Sequence, residues 1–183
     1  MLDAAGITFS AVPPDVDETI LQRSLTRDGA GPSAVAEGLA EAKATTVSEK
    51  YPDSLVLGAD QVLVCGGRIF NKAVDASDAR KTLFALNGAG HELISAAVLA
   101  RAGKPVWRHT DRARLRMRNF SDAFLDDYLA TELPDVLGSV GCYRIEGRGA
   151  QLFANIEGDQ FCIRGLPLIP VLEALRQFGA LAR

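Results

Sequence analysis

The stretch LVLGADQVLVC, residues 55–65, sets one acidic side chain, Asp60, between two aliphatic runs. An ionised carboxylate among apolar neighbours is costly unless something compensates it. Strand alternation puts Asp60 on the face of Val56, Gly58, Val62 and Val64, and Gln61 on the other with Leu57, Ala59 and Leu63. Gly58 removes a side chain beside Asp60, which is expected to open room for a ligand. Glu18, in DVDE with Asp15 and Asp17, reads as part of an acidic loop, where a hard cation can be shared between loop and strand. Lys43 lies about 80° from Val35 and about 40° from Leu39 on a helical wheel, at the edge of the apolar stripe, so it either snorkels along the core or enters a cleft. Lys72, in FNKA, is a second cation near the end of the Asp60 strand. Two carboxylates and two lysines around one strand suit a phosphate ligand with a hard metal, the ion screening the phosphates and the lysines acting as point charges. Blander readings stay open: a strand-end carboxylate for Asp60 and a solvated acidic turn for Glu18.

Two further stretches carry charge in a pattern. Arg112, Arg114, Arg116 and Arg118 alternate with Ala113, Leu115 and Met117. Such a basic face can follow a nucleic-acid backbone, but without interleaved aromatics it reads as a solvated strand face, and nucleic acid is not expected as a partner. GCYRIEGRGAQLFANIEGD and RGLPL are dense in glycine and acidic groups: either a meandering loop, or a base-recognition wall in which Glu146 accepts hydrogen bonds from a nucleobase edge.

The elements that must position these residues can be read from pattern and punctuation. Residues 6–12 read as a strand, 13–19 as a Pro-Asp loop, and 26–33 as a mobile loop ending in Ser33 as a helix N-cap. Val35, Leu39, Ala42 and Thr46 share one face of a helix over 34–50. A strand over 55–65 turns at Gly66-Gly67, and a helix over 76–86 closes at Asn87-Gly88. Strands over 91–101 and 105–118 form an antiparallel pair, with a helix over 121–131 capped by Ser121 after them. The segment 138–167 reads as irregular, and a last helix over 168–179 stops at Gly179.

At 183 residues, with 48 % hydrophobic and 23 % charged, the chain is long enough for one domain with a real core, or two small lobes around a cleft. No repeat or linker splits it, so residues 1–183 are expected to form a single domain. A net charge of -3 gives no general argument for nucleic acid or membrane. No apolar run reaches the roughly 20 residues of a membrane span and the N-terminus has no signal-like core, so a soluble, cytoplasmic protein is expected. Cys65, Cys142 and Cys162 have no metal-binding spacing and read as plain thiols. With only His91 and His109, a metal here would be a hard ion held by carboxylates, magnesium or manganese.

In order and spacing, GITF, DVDE, LAEAKA, VLGADQV, NKA, LNGAGHE, GCYRIEGRGAQLF and GLPL resemble the Maf family of nucleoside triphosphate pyrophosphatases, from about residue 6 to 180. The resemblance implies an α/β fold with an elongated central mixed β-sheet flanked by helices, two lobes around a cleft, and a homodimer. It implies hydrolysis of a nucleoside triphosphate to monophosphate and pyrophosphate with a divalent metal. The family's catalytic aspartate falls on Asp60, its metal-associated glutamate on Glu18, and its phosphate-contacting lysines on Lys43 and Lys72. Its substrate-discriminating positions fall on Gln61 and Glu146, a pair more like the branch acting on 7-methyl-GTP than the branch acting on dTTP and UTP. A carboxylate accepts from the N1 and N2 donors of a guanine edge, whereas an amide both donates and accepts.

Family members usually open with a strand and a loop resembling SxSPRR that grips the triphosphate, whereas MLDAAGI matches only the segment after that loop. Either the start lies further upstream or the chain is a shortened member. Each lost charge-assisted contact is worth roughly 1.5 to 3 kcal/mol. The alternative expectation is therefore a weakly active or inactive nucleotide-binding or interaction protein.

Overall fold

The computed structural model describes residues 1–182. Six α-helices and five strands are found among them: α1 (Glu18–Arg27), α2 (Pro32–Lys50), β1 (Val56–Cys65), β2 (Arg68–Phe70), α3 (Ala76–Leu86), β3 (Gly90–Arg101), β4 (Lys104–Met117), α4 (Asp122–Glu132), β5 (Phe153–Glu157), α5 (Gln160–Ile163) and α6 (Leu168–Gln177). The strands form one open sheet in the order β2-β1-β3-β4-β5.

The sheet is antiparallel, in place of the mixed pairing expected. Leu63 stands opposite Phe70 in β1–β2, and Arg114 opposite Glu157 in β4–β5. A two-residue turn joins β3 to β4, with Ala102 at φ 49° and Gly103 at φ 74°. A link that short leaves no room for a parallel crossover.

By its contacts the chain divides into two compact units. The first comprises Met1–Gln61, Ile94–Asp111 and Gln160–Arg183. On one side its core is Ala97, Leu99, Leu166, Leu168, Val171, Ala174 and Leu175, with Leu57, Ala59 and Trp107 packed against it. On the other side α2 buries Val35, Ala36, Leu39, Ala40, Ala44 and Val47. Ser48 near the C-terminal end of α2 accepts the Gly103 N–H at 3.0 Å, tying the helix to the β3–β4 turn.

The second unit comprises Val62–Leu93 and Arg112–Asp159. Helices α3 and α4 pack together in it, with Asp75 and Ser121 as their N-caps. Its core includes Leu63, Leu83, Leu86, Leu93, Leu125, Tyr128 and Leu152. His91 is buried there with Nε2 2.7 Å from the Tyr143 hydroxyl.

Several expectations are corrected. Residues 6–12 form no strand: Phe9 and Val12 are exposed, and Pro13 and Pro14 come directly after. Glu18 is not in a loop but opens α1, whose N-cap is Asp17, accepting the Ile20 N–H at 2.9 Å. That helix fully buries no residue; its apolar pair, Leu21 and Leu25 one turn apart, is only half-buried. The N-cap of α2 is Gly31 rather than Ser33, because Pro32 takes the first helical position, where its missing N–H costs nothing. The segment 138–167 holds β5 and α5 between its turns.

Candidate active site

Lys43, Asp60 and Glu18 meet inside the first unit. The cause lies at Gly58 rather than in the charges. A Cβ at Gly58 would stand 2.3 Å from the Ala40 carbonyl oxygen, 2.7 Å from the Ala44 nitrogen and 2.9 Å from the Ala44 Cβ. The expected ligand space beside Asp60 is thus taken by the backbone of α2, which the missing side chain lets settle directly on β1. Ala40 and Ala44 keep the helix side of this contact thin. One turn along, Lys43 reaches Asp60, which shares the Gly58 face of the strand.

The Lys43 Nζ donates to Asp60 Oδ1 at 2.6 Å and lies 2.9 Å from Glu18 Oε1. Side-chain exposure is 17 % for Lys43 and 10 % for Asp60, against 48 % for Glu18, so the lysine–aspartate pair is the sheltered half of the triad. Burial pulls the Lys43 ammonium down, but the hydrogen bonds and charges of Asp60 and then Glu18 outweigh it, and its pKa ends above the ordinary lysine value. Glu18 is delivered by the start of α1, which packs on α2 where Gly38 makes way for Leu25: a Cβ there would meet Leu25 Cδ1 at 2.8 Å.

Gln61 points to the opposite face. Its Nε2 donates to the carbonyls of Cys162 at 2.8 Å and Ile163 at 3.2 Å and to Ser95 Oγ at 2.9 Å. Ser95 in turn donates to the Cys162 carbonyl at 2.7 Å. Two carbonyl partners fix the amide orientation, leaving Oε1 as its acceptor. Sequence reasoning misses Ser95; its signal is a lone hydroxyl in the apolar run LISAAVLA of a buried strand.

Lys72 and Glu146 belong to the second unit, and both are exposed. Lys72 lies two residues beyond β2. Glu146 sits on a turn closed by the Gly147 N–H on the Arg144 carbonyl at 3.3 Å. That loop is braced by Ser139 Oγ, which accepts the Tyr143 N–H and donates to the Tyr143 carbonyl, and by Arg144 on Glu132 and Arg148 on Asp127. The arginine stripe is internally engaged: Arg112 and Arg114 pair with Glu92 at 3.0 and 3.3 Å, and Arg118 lies over the Phe124 ring and donates to the Gln151 carbonyl.

The donor set fits a hard divalent cation only in part. The Glu18 and Asp60 oxygens converge on one point, now held by the Lys43 ammonium, so a cation can replace an existing positive charge there. Among the described residues no cluster of three or more His, Cys, Asp or Glu could hold a metal. Water or substrate oxygens would have to complete the coordination. No helix among the described residues is long and apolar enough to cross a membrane. Cys142 and Cys162 are buried free thiols and Cys65 is half-buried.

Similarity to known proteins fits this geometry. The chain is 48 % identical over 181 residues, 99 % of its length and 92 % of the relative's, to a nucleoside triphosphate pyrophosphatase of Granulibacter bethesdensis. It is 51 % identical, over 99 % of its length and 91 % of the relative's, to a 7-methyl-GTP pyrophosphatase of Mesorhizobium japonicum. A nucleoside triphosphate pyrophosphatase of Paramagnetospirillum magneticum is 47 % identical over 99 % of the chain and 93 % of its own length. The family described as Maf-like protein matches residues 1–178, and the chain belongs to it.

Proposed function

We propose that this chain is a hydrolase that cleaves a nucleoside triphosphate to the monophosphate and pyrophosphate. The observation that carries the reading is the convergence of Lys43, Asp60 and Glu18 at one sheltered point, in a chain whose relatives are named for this activity. Asp60 orients a water toward the α-phosphorus and accepts its proton as the new P–O bond forms. The bond from the α-phosphorus to the bridging oxygen breaks, and pyrophosphate leaves with the electron pair. Lys43 meets the phosphate charge. Glu18 and Asp60 would hold a divalent cation, magnesium or manganese, whose chemistry would be to stabilise charge on the departing pyrophosphate.

The base preference is argued from acceptors. The nitrogen of Gln61 is occupied by the protein's own carbonyls, so what Gln61 offers a base is Oε1. A side chain that only accepts suits the N1–H and N2–H donors of a guanine edge better than the mixed edge of thymine or uracil. The preferred substrate is a guanine nucleotide such as 7-methyl-GTP, acted on in the cytoplasm by a homodimer.

The test measures pyrophosphate release from a panel of canonical and 7-methylated nucleoside triphosphates, with magnesium and with chelator. Metal-dependent turnover, fastest on 7-methyl-GTP, is expected. Absence of turnover with every nucleotide and metal defeats the reading, and a preference for dTTP or UTP defeats the base assignment. Asp60→Asn is expected to lower kcat by about 100-fold or more with the fold intact.

A further inference from the structure

Lys43 is placed oddly for a phosphate-binding residue. Its ammonium is already committed, 2.6 Å from Asp60 and 2.9 Å from Glu18. Those carboxylates are the same two that the pyrophosphatase reading gives to the divalent cation. A magnesium ion bound to both would stand about 2.1 Å from each oxygen, within the space Nζ fills. Two cations cannot share that position, because both would have to touch the same two oxygens, where they overlap and repel.

We propose that the Lys43 ammonium and the divalent cation are mutually exclusive occupants of one position between Glu18 and Asp60, so that the arriving cation expels Lys43 and frees it for phosphate. The proposal rests on the pyrophosphatase reading for what the cation and the phosphate do, and adds an order of events to it. Lys43 can leave by rotating its own flexible stem while the backbone of α2 stays seated on Gly58. With an internal competitor and only two carboxylates, the substrate-free chain is a weak metal site. The cation therefore enters together with the nucleotide, whose phosphates supply both the missing ligands and a new partner for the displaced lysine. Before that, the paired lysine keeps the two carboxylates from lying uncompensated beside the strand.

A manganese titration without nucleotide, read by the electron paramagnetic resonance of the free ion, compares the wild-type chain with Lys43→Met, an uncharged side chain of similar length. The variant is expected to bind manganese about tenfold more tightly or better, as coupled sites of this kind commonly do. Adding Glu18→Gln is expected to remove the gain. Equal or weaker binding by a folded Lys43→Met chain overturns the proposal.

A second readout uses the wild-type chain alone: reductive methylation of lysines, mapped by mass spectrometry at rising magnesium. Lys43 should be methylated faster as magnesium binds, and protection unchanged at saturating magnesium overturns the proposal even where the variant fails to fold. If turnover is metal-dependent but Lys43→Met binds manganese no better, the competition falls and the pyrophosphatase reading stands. If no nucleotide is hydrolysed, that reading falls while the titration still decides the competition.

Discussion

Replacing Gly58 with alanine adds a methyl carbon that must sit 2.3 Å from the Ala40 carbonyl oxygen and 2.7 Å from the Ala44 nitrogen. Both are backbone atoms of α2, so no side-chain rotation relieves the clash. To restore an ordinary carbon–oxygen contact of about 3.4 Å, the helix must retreat by about 1 Å. The same retreat stretches the Lys43–Asp60 hydrogen bond, now 2.6 Å, past the range in which it is a bond. Overpacking of this kind costs about 1–3 kcal/mol, and an unyielding backbone argues for the upper end. The lost charge-assisted bond adds roughly 1.5–3 kcal/mol. For a chain of this size, where 1 kcal/mol moves Tm by about 2–4 °C, the expected drop is about 10–20 °C. Misplacing Lys43 by about 1 Å should also cost about 100-fold in kcat/KM. Circular dichroism melts and pyrophosphate release measure the two effects. Gly138→Ala is the control, since a Cβ there meets nothing within 4 Å. A Gly58→Ala chain that melts with the wild type and keeps its kcat/KM refutes the claim that this glycine seats the helix and aims the lysine.

Three other outcomes are expected. Because the Lys43 pKa is raised in the fold, its ion pairs contribute fully below the unfolded value of about 10.5 and are lost as pH rises through the folded value. The melting temperature should therefore hold across neutral pH and fall in the alkaline range, and Lys43→Met should flatten that fall. His91 goes the other way: burial lowers its pKa from 6.5 to about 4, so the unfolded chain takes up a proton first as pH drops. Stability should decline from pH 6.5 toward 4 by roughly 3 kcal/mol, and an acid melt of His91→Gln should lack that component. Gln61→Leu strips its donor from the Ile163 carbonyl and one of two donors from the Cys162 carbonyl, which keeps Ser95, at about 1–3 kcal/mol for the interactions lost. It also removes Oε1, so the guanine preference should shrink in the nucleotide panel while Tm falls.

Where apolar periodicity is strong, the elements are legible directly: α2, α3, α4, β1 and the β3–β4 hairpin stand within a residue or two of their expected bounds, with Ser121 as the expected cap. The misses share one physical cause. Helix α1 only half-buries its apolar pair Leu21 and Leu25, and residues 6–12 are apolar but largely exposed, so in both places the burial behind the pattern is weak. The Asp60, Lys43 and Glu18 constellation is legible because buried charge has few inexpensive arrangements, and the two residues needing compensation are visible on a strand and at the edge of a helical stripe. The role of Gly58 is not, since a glycine signals only that something comes close. Whether that is a ligand or a helix backbone depends on packing between segments distant in sequence.

The two faces of β1 also revise the chemistry attached to adjacent residues. Asp60 and Gln61 are neighbours in the chain but face opposite layers of the first unit, one to α2 and the other to the carbonyls of α5. An amide in the abstract both donates and accepts, which favours a pyrimidine edge as readily as a purine. Held by the Cys162 and Ile163 carbonyls, this one has spent its donors and is an acceptor only. Its contribution to base choice thus acquires the same sign as that of a carboxylate. The proposed preference for a guanine edge then rests on the hydrogen-bonding state that the fold imposes on Gln61, rather than on residue type alone.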